Sequence, residues 1–391
     1  AEVINGKRFV IENNEVAWLY YLRNTYAGLM PGFGYRVDAF AKYTGFVYSL
    51  FGYDPLAIKF INSILSVFSG AFFFMLAKKM FSVRIANIVL ILVIFWPSLF
   101  LWSITGIKDT LLIFLVTLST YIYIEYIREN IGLLEYIILM LGLLTSNYVI
   151  FFVFLAFVIL FRIYKNHSFQ CFVNKDIFSI VIAMVVIKFC CDFINLLRPF
   201  TFMTLIFAFI LSVVTFIRRK GLIIFTAMTG VVLLCIIILY KSDVAKFYAF
   251  YTRQTVDHQY CQFVEGDFGY NVYPLEYYNS TSIIPLTTLI YSYFRGLGYA
   301  LFSPFLFFGV RNIFNLFAAL QTLFFCALFP FILRGLVITL RYKWKDALPI
   351  LTFSISTISA YALLEGNIGT MFRHRDSLMI SLIFFAVVGV G

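Results

Sequence analysis

Long apolar runs separated by short polar loops constrain the fold of this chain more than any other feature. There are about eleven runs, each near or slightly below the roughly 20 residues that a helix needs to cross a bilayer. Because 62% of the residues are hydrophobic and only 13% are charged, a water-soluble core could not bury so much apolar surface. The sequence therefore predicts an all-α, polytopic transmembrane bundle. The runs lie at residues 56–77, 85–102, 110–127, 133–145, 148–163, 177–190, 199–217, 222–240, 312–333, 347–364 and 378–391.

Two long polar segments interrupt these runs within what we predict to be a single integral membrane domain, residues 1–391. Residues 1–55 contain prolines and glycines and are predicted to form an aqueous loop with short helices. Residues 241–311 begin as a polar loop and continue into an apolar stretch that Pro285 and Arg295 interrupt, which is typical of an interfacial or re-entrant helix. Since the sequence begins without a methionine, we also expect a first span to be missing, which would give about twelve spans or more.

The cations of the short loops indicate how the chain is oriented. Such cations accumulate on the cytoplasmic side of membrane proteins, and here they recur on one side of the alternating path, for example at Lys78, Arg128, Arg162, Arg218 and Arg341. The formal net charge of +11 therefore reflects membrane topology, and we expect the lipid bilayer, not nucleic acid, as a partner. The opposite side, called the outer face below, then collects residues 1–55, 103–109, 191–198, 241–311 and 365–376.

A charged pair, Lys108 and Asp109, stands at the membrane boundary between two apolar runs. A charge near hydrocarbon costs roughly 2.5–3.5 kcal/mol on insertion scales, so the pair needs solvent, an internal partner or a ligand. One interpretation is a solvated helix start, because free N–H groups and the helix dipole stabilise Asp in a first turn. The other interpretation makes the pair the floor of an active site on the outer face.

A second charged cluster, residues 365–376, joins the last two apolar runs on the same face. Its glycines permit close backbone approach, and Arg373, His374 and Arg375 supply planar forks and a titratable ring that could hold a phosphate. The alternative is an interfacial hairpin anchored by snorkelling arginines. Because phosphate binding favours several cations at one point, we expect the ends of Lys108 and Arg375 to face one cavity.

Tyrosines and carboxylates are frequent in the outer loop between Lys241 and Ile284, where Tyr273 and Glu276 are examples. Aromatic rings stack on the C–H faces of sugars and carboxylates accept from their hydroxyls, so this composition suits sugar binding. A folded interfacial cap would have a similar composition. The six cysteines show no metal-ligand spacing, and no phosphate loop, dinucleotide fingerprint or nucleophile elbow occurs.

Three groups of motifs stand at the ends of the apolar runs. They are Leu50-Phe51-Gly52-Tyr53-Asp54-Pro55 with Ile58-Lys59-Phe60-Ile61-Asn62; Pro97-Ser98, Trp102-Ser103 and Lys108-Asp109; and Glu365-Gly366-Asn367-Ile368-Gly369-Thr370 with Arg373-His374-Arg375. Together they resemble the GT-C superfamily of polytopic membrane glycosyltransferases, in particular bacterial relatives of protein O-mannosyltransferases and aminoarabinose transferases. The resemblance extends over most of the chain and implies a GT-C-like bundle in the bacterial cytoplasmic membrane, with its active site on the outer face.

The resemblance implies transfer of a sugar from a polyprenyl-phosphate donor to a glycan, lipid or protein acceptor. Such enzymes use an acidic base in an outer loop and, in some members, a divalent metal such as Mg²⁺ or Mn²⁺. The candidates for the base are Asp109, Asp38 and Glu15, unless the catalytic acid lies in a missing amino-terminal segment. Asp109 could instead orient Lys108 or bind a metal. The candidates for binding the donor phosphate are Lys108, Arg373, His374, Arg375 and Arg295. The candidates for binding the sugar or the acceptor are Tyr273, Glu276, Glu365 and Asn367.

Other functions remain compatible with the sequence. A lipid-linked polysaccharide polymerase or ligase would hold a lipid pyrophosphate with the same outer cations. A flippase or secondary transporter would show repeated halves and charged or broken helices at the midplane. The sequence shows no matching halves, and Lys188 is the one basic residue deep in a predicted run. A structural scaffold would not need so dense a charged face.

Overall fold

The computed structural model describes residues 39–127, 133–145, 147–166, 175–212, 241–265, 269–278, 284–304 and 313–391. Every regular element in these ranges is helical, which confirms the all-α class. Glu15, Asp38 and the apolar run at 222–240 lie outside the described residues. The helices are α1 (Ala39–Phe51), α2 (Pro55–Met80), α3 (Val83–Phe95), α4 (Pro97–Thr105), α5 (Lys108–Ile122, continued by a π-helical turn at Tyr123–Ile127), α6 (Leu133–Leu144), α7 (Tyr148–Asn166), α8 (Lys175–Leu197), α9 (Pro199–Leu211), α10 (Lys241–Glu265), α11 (Leu275–Tyr278), α12 (Leu286–Phe302), α13 (Ile313–Leu364) and α14 (Ile368–Val390).

The chain divides into two compact units after Asp54. The first unit contains α1, which buries Ala39 and Val47 and leaves Phe46 and Leu50 exposed. The second unit, Pro55–Gly391, contains α2 to α14 and all of the side chains discussed as a candidate site below.

Several helices of the second unit can cross a membrane. Within the described residues, four helical segments are long and apolar enough, and the count rises to five if the bent pair of α3 and α4 forms one span. Three further apolar helical stretches, Glu135–Leu144, Tyr148–Ile159 and Pro199–Leu211, lie within predicted runs. An integral membrane protein is thus supported, whereas the number of about eleven spans stays a prediction. The four segments are Pro55–Met80, Lys108–Ile127, Phe178–Leu197 and Leu316–Leu364.

The longest helix, α13, contains a break. Its 52 residues would extend about 78 Å as a straight helix, more than twice the roughly 30 Å hydrocarbon core of a bilayer. The backbone leaves the helical region at Lys343, with φ −136° and ψ 31°. Lys343 lies between the two predicted runs 312–333 and 347–364, in the loop predicted to be cytoplasmic. The break therefore falls where the sequence predicts the chain to turn.

The boundary between α3 and α4 is set by Trp96 and Pro97. Proline is favoured at the first position of a helix, because its missing N–H needs no partner there, and α4 begins at Pro97. The two helices are bent by 51° at this point. α4 ends at Gly106, whose φ of +72° is a left-handed conformation that glycine adopts without strain. The next helix begins two residues later, so Lys108 and Asp109 lie in its first turn.

The central helix of the second unit is α14. From Met371 to Gly389 almost every side chain is buried, and the helix packs along α13 and against α3 and α12. Two glycines permit the close contact with α13. A Cβ on Gly335 would overlap the carbonyl oxygen of Phe385, and a Cβ on Gly389 would overlap that of Phe331. Small residues at helix crossings are typical of membrane bundles, where backbone proximity maximises dispersion contacts.

Helix α12 crosses the end of α13. Gly296 packs so closely on Ala362 that a Cβ would overlap its carbonyl oxygen, and Ser292 and Ala300, one turn before and after, are buried on the same side. The opposite side of α12 is apolar and exposed, which agrees with the predicted interfacial helix. Its exposed apolar residues are Leu286, Ile290, Tyr291 and Phe294.

We predict that Gly296→Ala destabilises the protein, because the new methyl group meets backbone that cannot rotate away. Overpacking of this kind costs roughly 1–3 kcal/mol, which a lowered midpoint of thermal unfolding in detergent would report. Gly298→Ala on the same helix is the matched control, since nothing lies within 4 Å of its added Cβ. The control should be neutral or slightly stabilising, and equal effects of the two substitutions would contradict this packing.

Candidate functional site

Four consecutive residues of α14, Arg373 to Asp376, point at different neighbours. Successive residues of an α-helix are rotated by about 100°, so four of them cover the whole circumference. Arg373 points towards α5, His374 towards the residue that follows α13, Arg375 towards the end of α12, and Asp376 towards α4. This one turn of α14 therefore connects four parts of the bundle.

Asp376 is fully buried and is held by α4. Ser98 Oγ donates to Oδ1 at 2.7 Å, and Trp102 Nε1 donates to Oδ2 at 2.5 Å. Gln321 of α13 donates in turn to Ser98 Oγ at 2.7 Å. Burial raises the pKa of Asp376 to about 7. Ser98 and Trp102, which belong to the family-like motifs, thus have a packing role in holding this carboxyl group.

Arg375 is also fully buried, and its guanidinium caps α12. Nη1 donates to the carbonyl oxygens of Leu301 at 2.6 Å and Ser303 at 3.0 Å, and Nη2 donates to Thr322 Oγ1 at 3.0 Å. Carbonyl groups at a helix end lack helical partners, and the dipole favours a cation there. The structure therefore assigns Arg375 to the end of α12, which corrects the expectation that it shares a phosphate cavity with Lys108.

Asp109, in the first turn of α5, is buried between two arginines. Arg198, between α8 and α9, donates from Nη2 to Asp109 Oδ1 at 2.7 Å. Arg373 Nε lies 3.4 Å from Oδ2. Lys108 is half-buried beside them. Because only 3% of Asp109 is exposed, the pair Lys108-Asp109 belongs to an internal cluster and not to a solvated helix start.

Glu365, directly after α13, faces His374. His374 Nδ1 lies 3.0 Å from Glu365 Oε2, and the ring of Tyr361 stacks on the imidazole at 4.3 Å. Burial raises the pKa of Glu365 to about 7, although Arg198 and Arg373 act to lower it. Burial also lowers the pKa of His374 well below its ordinary value, and nearby cations lower it further. At neutral pH His374 is therefore uncharged, whereas Glu365 is close to half-ionised.

These side chains form what we call the polar cluster: Lys108, Asp109, Arg198, Tyr361, Glu365, Arg373 and His374. Most buried polar atoms in proteins are hydrogen-bonded, so several unpaired ones in one place need an explanation. Within the part of the chain that the structure describes, six buried atoms of the cluster make no hydrogen bond, although Asp109 Oδ2 lies 3.4 Å from Arg373 Nε and His374 Nδ1 lies 3.0 Å from Glu365 Oε2. The capacity to bind a polar ligand would account for them. The atoms are Asp109 Oδ2, Arg198 Nη1, Tyr361 Oη, Glu365 Oε1, Arg373 Nε and His374 Nδ1.

A short segment, residues 269–278, packs against the loop that carries Glu365. The backbone N–H of Tyr270 donates to the carbonyl oxygen of Gly366 at 2.7 Å, and Gln259 of α10 donates to the carbonyl oxygen of Tyr270 at 2.7 Å. The pKa of Tyr270 is raised, first by burial and then by the charge of Glu365. The segment thus places an aromatic hydroxyl near the polar cluster.

The remaining sequence candidates lie outside the polar cluster or outside the described residues. Tyr273 is buried within the 269–278 segment, and Asn367 caps α14 by accepting from the backbone N–H groups of two residues in its first turn. Glu276 is exposed in α11, and Arg295 is half-exposed on α12. Asp38 lies outside the described residues.

No pattern in the sequence distinguishes two members of the polar cluster, Arg198 and Tyr361. Arg198 belongs to no recognisable motif, although it separates two apolar runs directly before Pro199 on the predicted outer face. That position was the available signal, because a cation on the outer face runs against the orientation bias. Tyr361 lies inside the apolar run 347–364, and nothing in its spacing distinguishes it.

The residues of the polar cluster do not fit a divalent metal. Among the described residues, no group of three or more His, Cys, Asp or Glu side chains is arranged to hold a metal ion. In addition, Arg198 and Arg373 lie against the two oxygens of Asp109 that a cation would need. Mg²⁺ or Mn²⁺ stays a prediction, and no step proposed below passes through a metal.

Comparisons with known proteins add no assignment to this geometry. No family model matches the chain, and neither curated proteins nor solved structures give a match. Functional inference therefore depends on the polar cluster itself.

We predict that Glu365 makes the protein less stable as the pH rises. The pKa of Glu365 is about 4.5 in the unfolded chain and about 7 in the folded protein. A carboxyl whose pKa is higher in the folded state contributes stability that is fully present below the unfolded pKa and is lost as the pH rises through the folded pKa. Glu365→Gln removes this titration. The stability of the variant relative to the wild type should therefore increase by roughly 2–3 kcal/mol between pH 5 and pH 8, measured by thermal or denaturant unfolding in detergent.

The matched control is Glu276→Gln, which changes an exposed glutamate and should leave the pH dependence unchanged. Asp376 and His374 titrate in all three proteins, so their contributions cancel in the comparison. An identical pH dependence in the wild type and Glu365→Gln would show that Glu365 is not buried as described.

Proposed function

We propose that the protein is a membrane glycosyltransferase that moves a sugar from a polyprenyl-phosphate donor to an acceptor on the outer face of the membrane. The observation that carries this proposal is the excess of positive charge in the polar cluster. Lys108, Arg198 and Arg373 supply three cations, against the carboxylates of Asp109 and Glu365. The net charge is therefore +1 when Glu365 is ionised and +2 when it is protonated.

A phosphate is the anion that suits these cations best. Guanidinium groups bind phosphate oxygens through parallel N–H bonds, and such charge-assisted bonds are about twice as strong as neutral ones. Arg198 Nη1 and Arg373 Nε make no hydrogen bond to the described residues, although Arg373 Nε lies 3.4 Å from Asp109 Oδ2. The Arg373 side chain is 36% exposed, whereas that of Arg198 is 11% exposed. Arg373 therefore lies at the open edge of the cluster, where a phosphate would enter.

Asp109 serves in this proposal to orient the cations and not as the base. Its oxygens face Arg198 at 2.7 Å and Arg373 at 3.4 Å, so the lone pairs that a base needs are already directed at guanidinium groups. A carboxylate in this position holds both arginines in place and prevents their mutual repulsion. Removing it would leave three cations without a fixed arrangement.

The chemical role of the cations is to stabilise the departing polyprenyl phosphate. When the bond between the sugar and the phosphate breaks, negative charge develops on the phosphate oxygen that leaves. Fixed cations in a largely water-excluded site stabilise that charge more than they would in water. The middle of α12 packs on the end of α13 near Tyr361, and the exposed apolar face of α12 supports the approach of a lipid-linked donor at this level.

We predict that Arg198→Ala and Arg373→Ala each reduce turnover about ten- to a hundredfold in proteoliposomes supplied with a radiolabelled polyprenyl-phosphate sugar. The reason is that each lost charge-assisted hydrogen bond to phosphate is worth roughly 1.5–3 kcal/mol. Arg198→Lys should recover only part of the rate, since a point charge cannot reproduce a planar fork. Product formation is measured as new glycoside by chromatography.

The control is Arg84→Ala, which removes an exposed cation at the start of α3 and should not change turnover. Wild-type protein that moves the labelled lipid across the bilayer without a new glycosidic product would exclude the enzyme and favour a flippase. Formation of glycan polymers from lipid pyrophosphate substrates alone would favour the polymerase or ligase.

A further inference from the structure

The two carboxylates of the polar cluster lie in different surroundings. Asp109 is directed at two guanidinium groups, whereas Glu365 Oε2 faces one imidazole and Glu365 Oε1 has no partner among the described residues. A proton acceptor needs a lone pair that no cation already occupies. Both carboxylates are buried, with 4% of each side chain exposed, but by this criterion Glu365 Oε1 fits the role and Asp109 does not.

We infer that Glu365 is the base that takes the proton from the acceptor hydroxyl, and that His374 positions it. This inference rests on the proposed glycosyltransferase function and deepens it. Neither the motifs nor the family resemblance assigned this role to Glu365, which the sequence placed among residues that bind the acceptor or the sugar.

The contacts of Glu365 support the assignment. His374 Nδ1 lies 3.0 Å from Oε2, and the stacked ring of Tyr361 holds the imidazole in plane. With Oε2 turned to the imidazole, Oε1 is left for the acceptor. The charged groups that face Glu365 are Arg198 and Arg373, and Tyr270 adds a hydroxyl from the 269–278 segment.

Protonation equilibria agree with this arrangement. The pKa of Glu365 is raised to about 7 by burial, and a general base is most effective when its pKa is near the working pH. The lowered pKa of His374 keeps the imidazole neutral, so it does not add a further positive charge beside Arg198 and Arg373. The neutral imidazole lies 3.0 Å from Oε2 without making a hydrogen bond to it, and it does not take the role of acid.

In the proposed step, the acceptor oxygen forms a bond to the anomeric carbon of the sugar while its proton moves to Glu365 Oε1. The bond between the anomeric carbon and the phosphate oxygen breaks, and its electron pair stays on the phosphate. The products are the glycoside, protonated Glu365 and polyprenyl phosphate held by Lys108, Arg198 and Arg373. Glu365 then returns its proton to water.

The test compares pH–rate profiles of glycoside formation in proteoliposomes with a radiolabelled polyprenyl-phosphate sugar. The wild type should lose rate below about pH 7, because protonated Glu365 cannot accept a proton. Glu365→Gln should reduce turnover by roughly 10²–10⁴-fold, the usual contribution of a general base. The variant should also lose this acidic limb of the pH–rate profile. Polyprenyl phosphate should still raise the unfolding temperature of Glu365→Gln, since the cations are unchanged.

Two further variants separate the roles. Asp109→Asn should weaken stabilisation by polyprenyl phosphate but keep the acidic limb of its residual activity. Asp257→Asn, which changes a part-exposed carboxylate of α10, should behave like the wild type. If the wild type is active and Glu365→Gln keeps more than one third of that activity with an unchanged acidic limb, Glu365 is not the base. This outcome overturns only the assignment of Glu365 and leaves the proposed function standing. Absence of any glycoside from the wild type overturns the proposed function, and this inference with it.

Discussion

The bundle depends on one turn of α14 that carries charge into a buried environment. Arg375 and Asp376 are 1% and 0% exposed, and burying an unpaired charge costs several kcal/mol, so each needs partners. The terminal nitrogens of Arg375 find them in the carbonyl oxygens that end α12 and in Thr322, and the carboxyl group of Asp376 finds them in the hydroxyl and indole groups of α4. These bonds fix the rotation of α14 about its axis. That rotation in turn directs Arg373 and His374.

The same turn is better satisfied on one side than on the other. Both oxygens of Asp376 and both terminal nitrogens of Arg375 have hydrogen-bond partners, although Arg375 Nε has none among the described residues. Arg373 Nε and His374 Nδ1 lie near carboxylate oxygens but make no hydrogen bond to them. A buried network that is only half satisfied destabilises a fold, because its polar atoms have lost water without gaining partners. Retaining such a network is therefore a cost that ligand binding can offset.

The sequence indicated the helices and the region of the site but not its internal assignment. Apolar runs predicted most described helices, because hydrophobic length is a local property, and the loops placed Lys108 and residues 365–376 on one face. The choice among Arg373, His374 and Arg375 depends on helix rotation, which shifts by about 100° per residue and is set by distant partners. Arg198 was missed for the same reason, since only folding brings it to Asp109. The span count stays a prediction, because the run 222–240 and part of the run 199–217 lie outside the described residues.

Two buried groups of charges in this protein differ in a way that bears on function. Lys188, deep in α8, is paired with Asp192 at 2.6 Å and donates to the carbonyl oxygen of Thr145, so its charge is compensated within the protein. The polar cluster instead carries one or two positive charges in excess, in surroundings of low dielectric where such an excess is costly. A pair like Lys188–Asp192 needs no ligand to be stable. The polar cluster gains most from a bound anion. During sugar transfer the leaving phosphate acquires added negative charge, so the cations of the cluster stabilise the transition state more than the ground state.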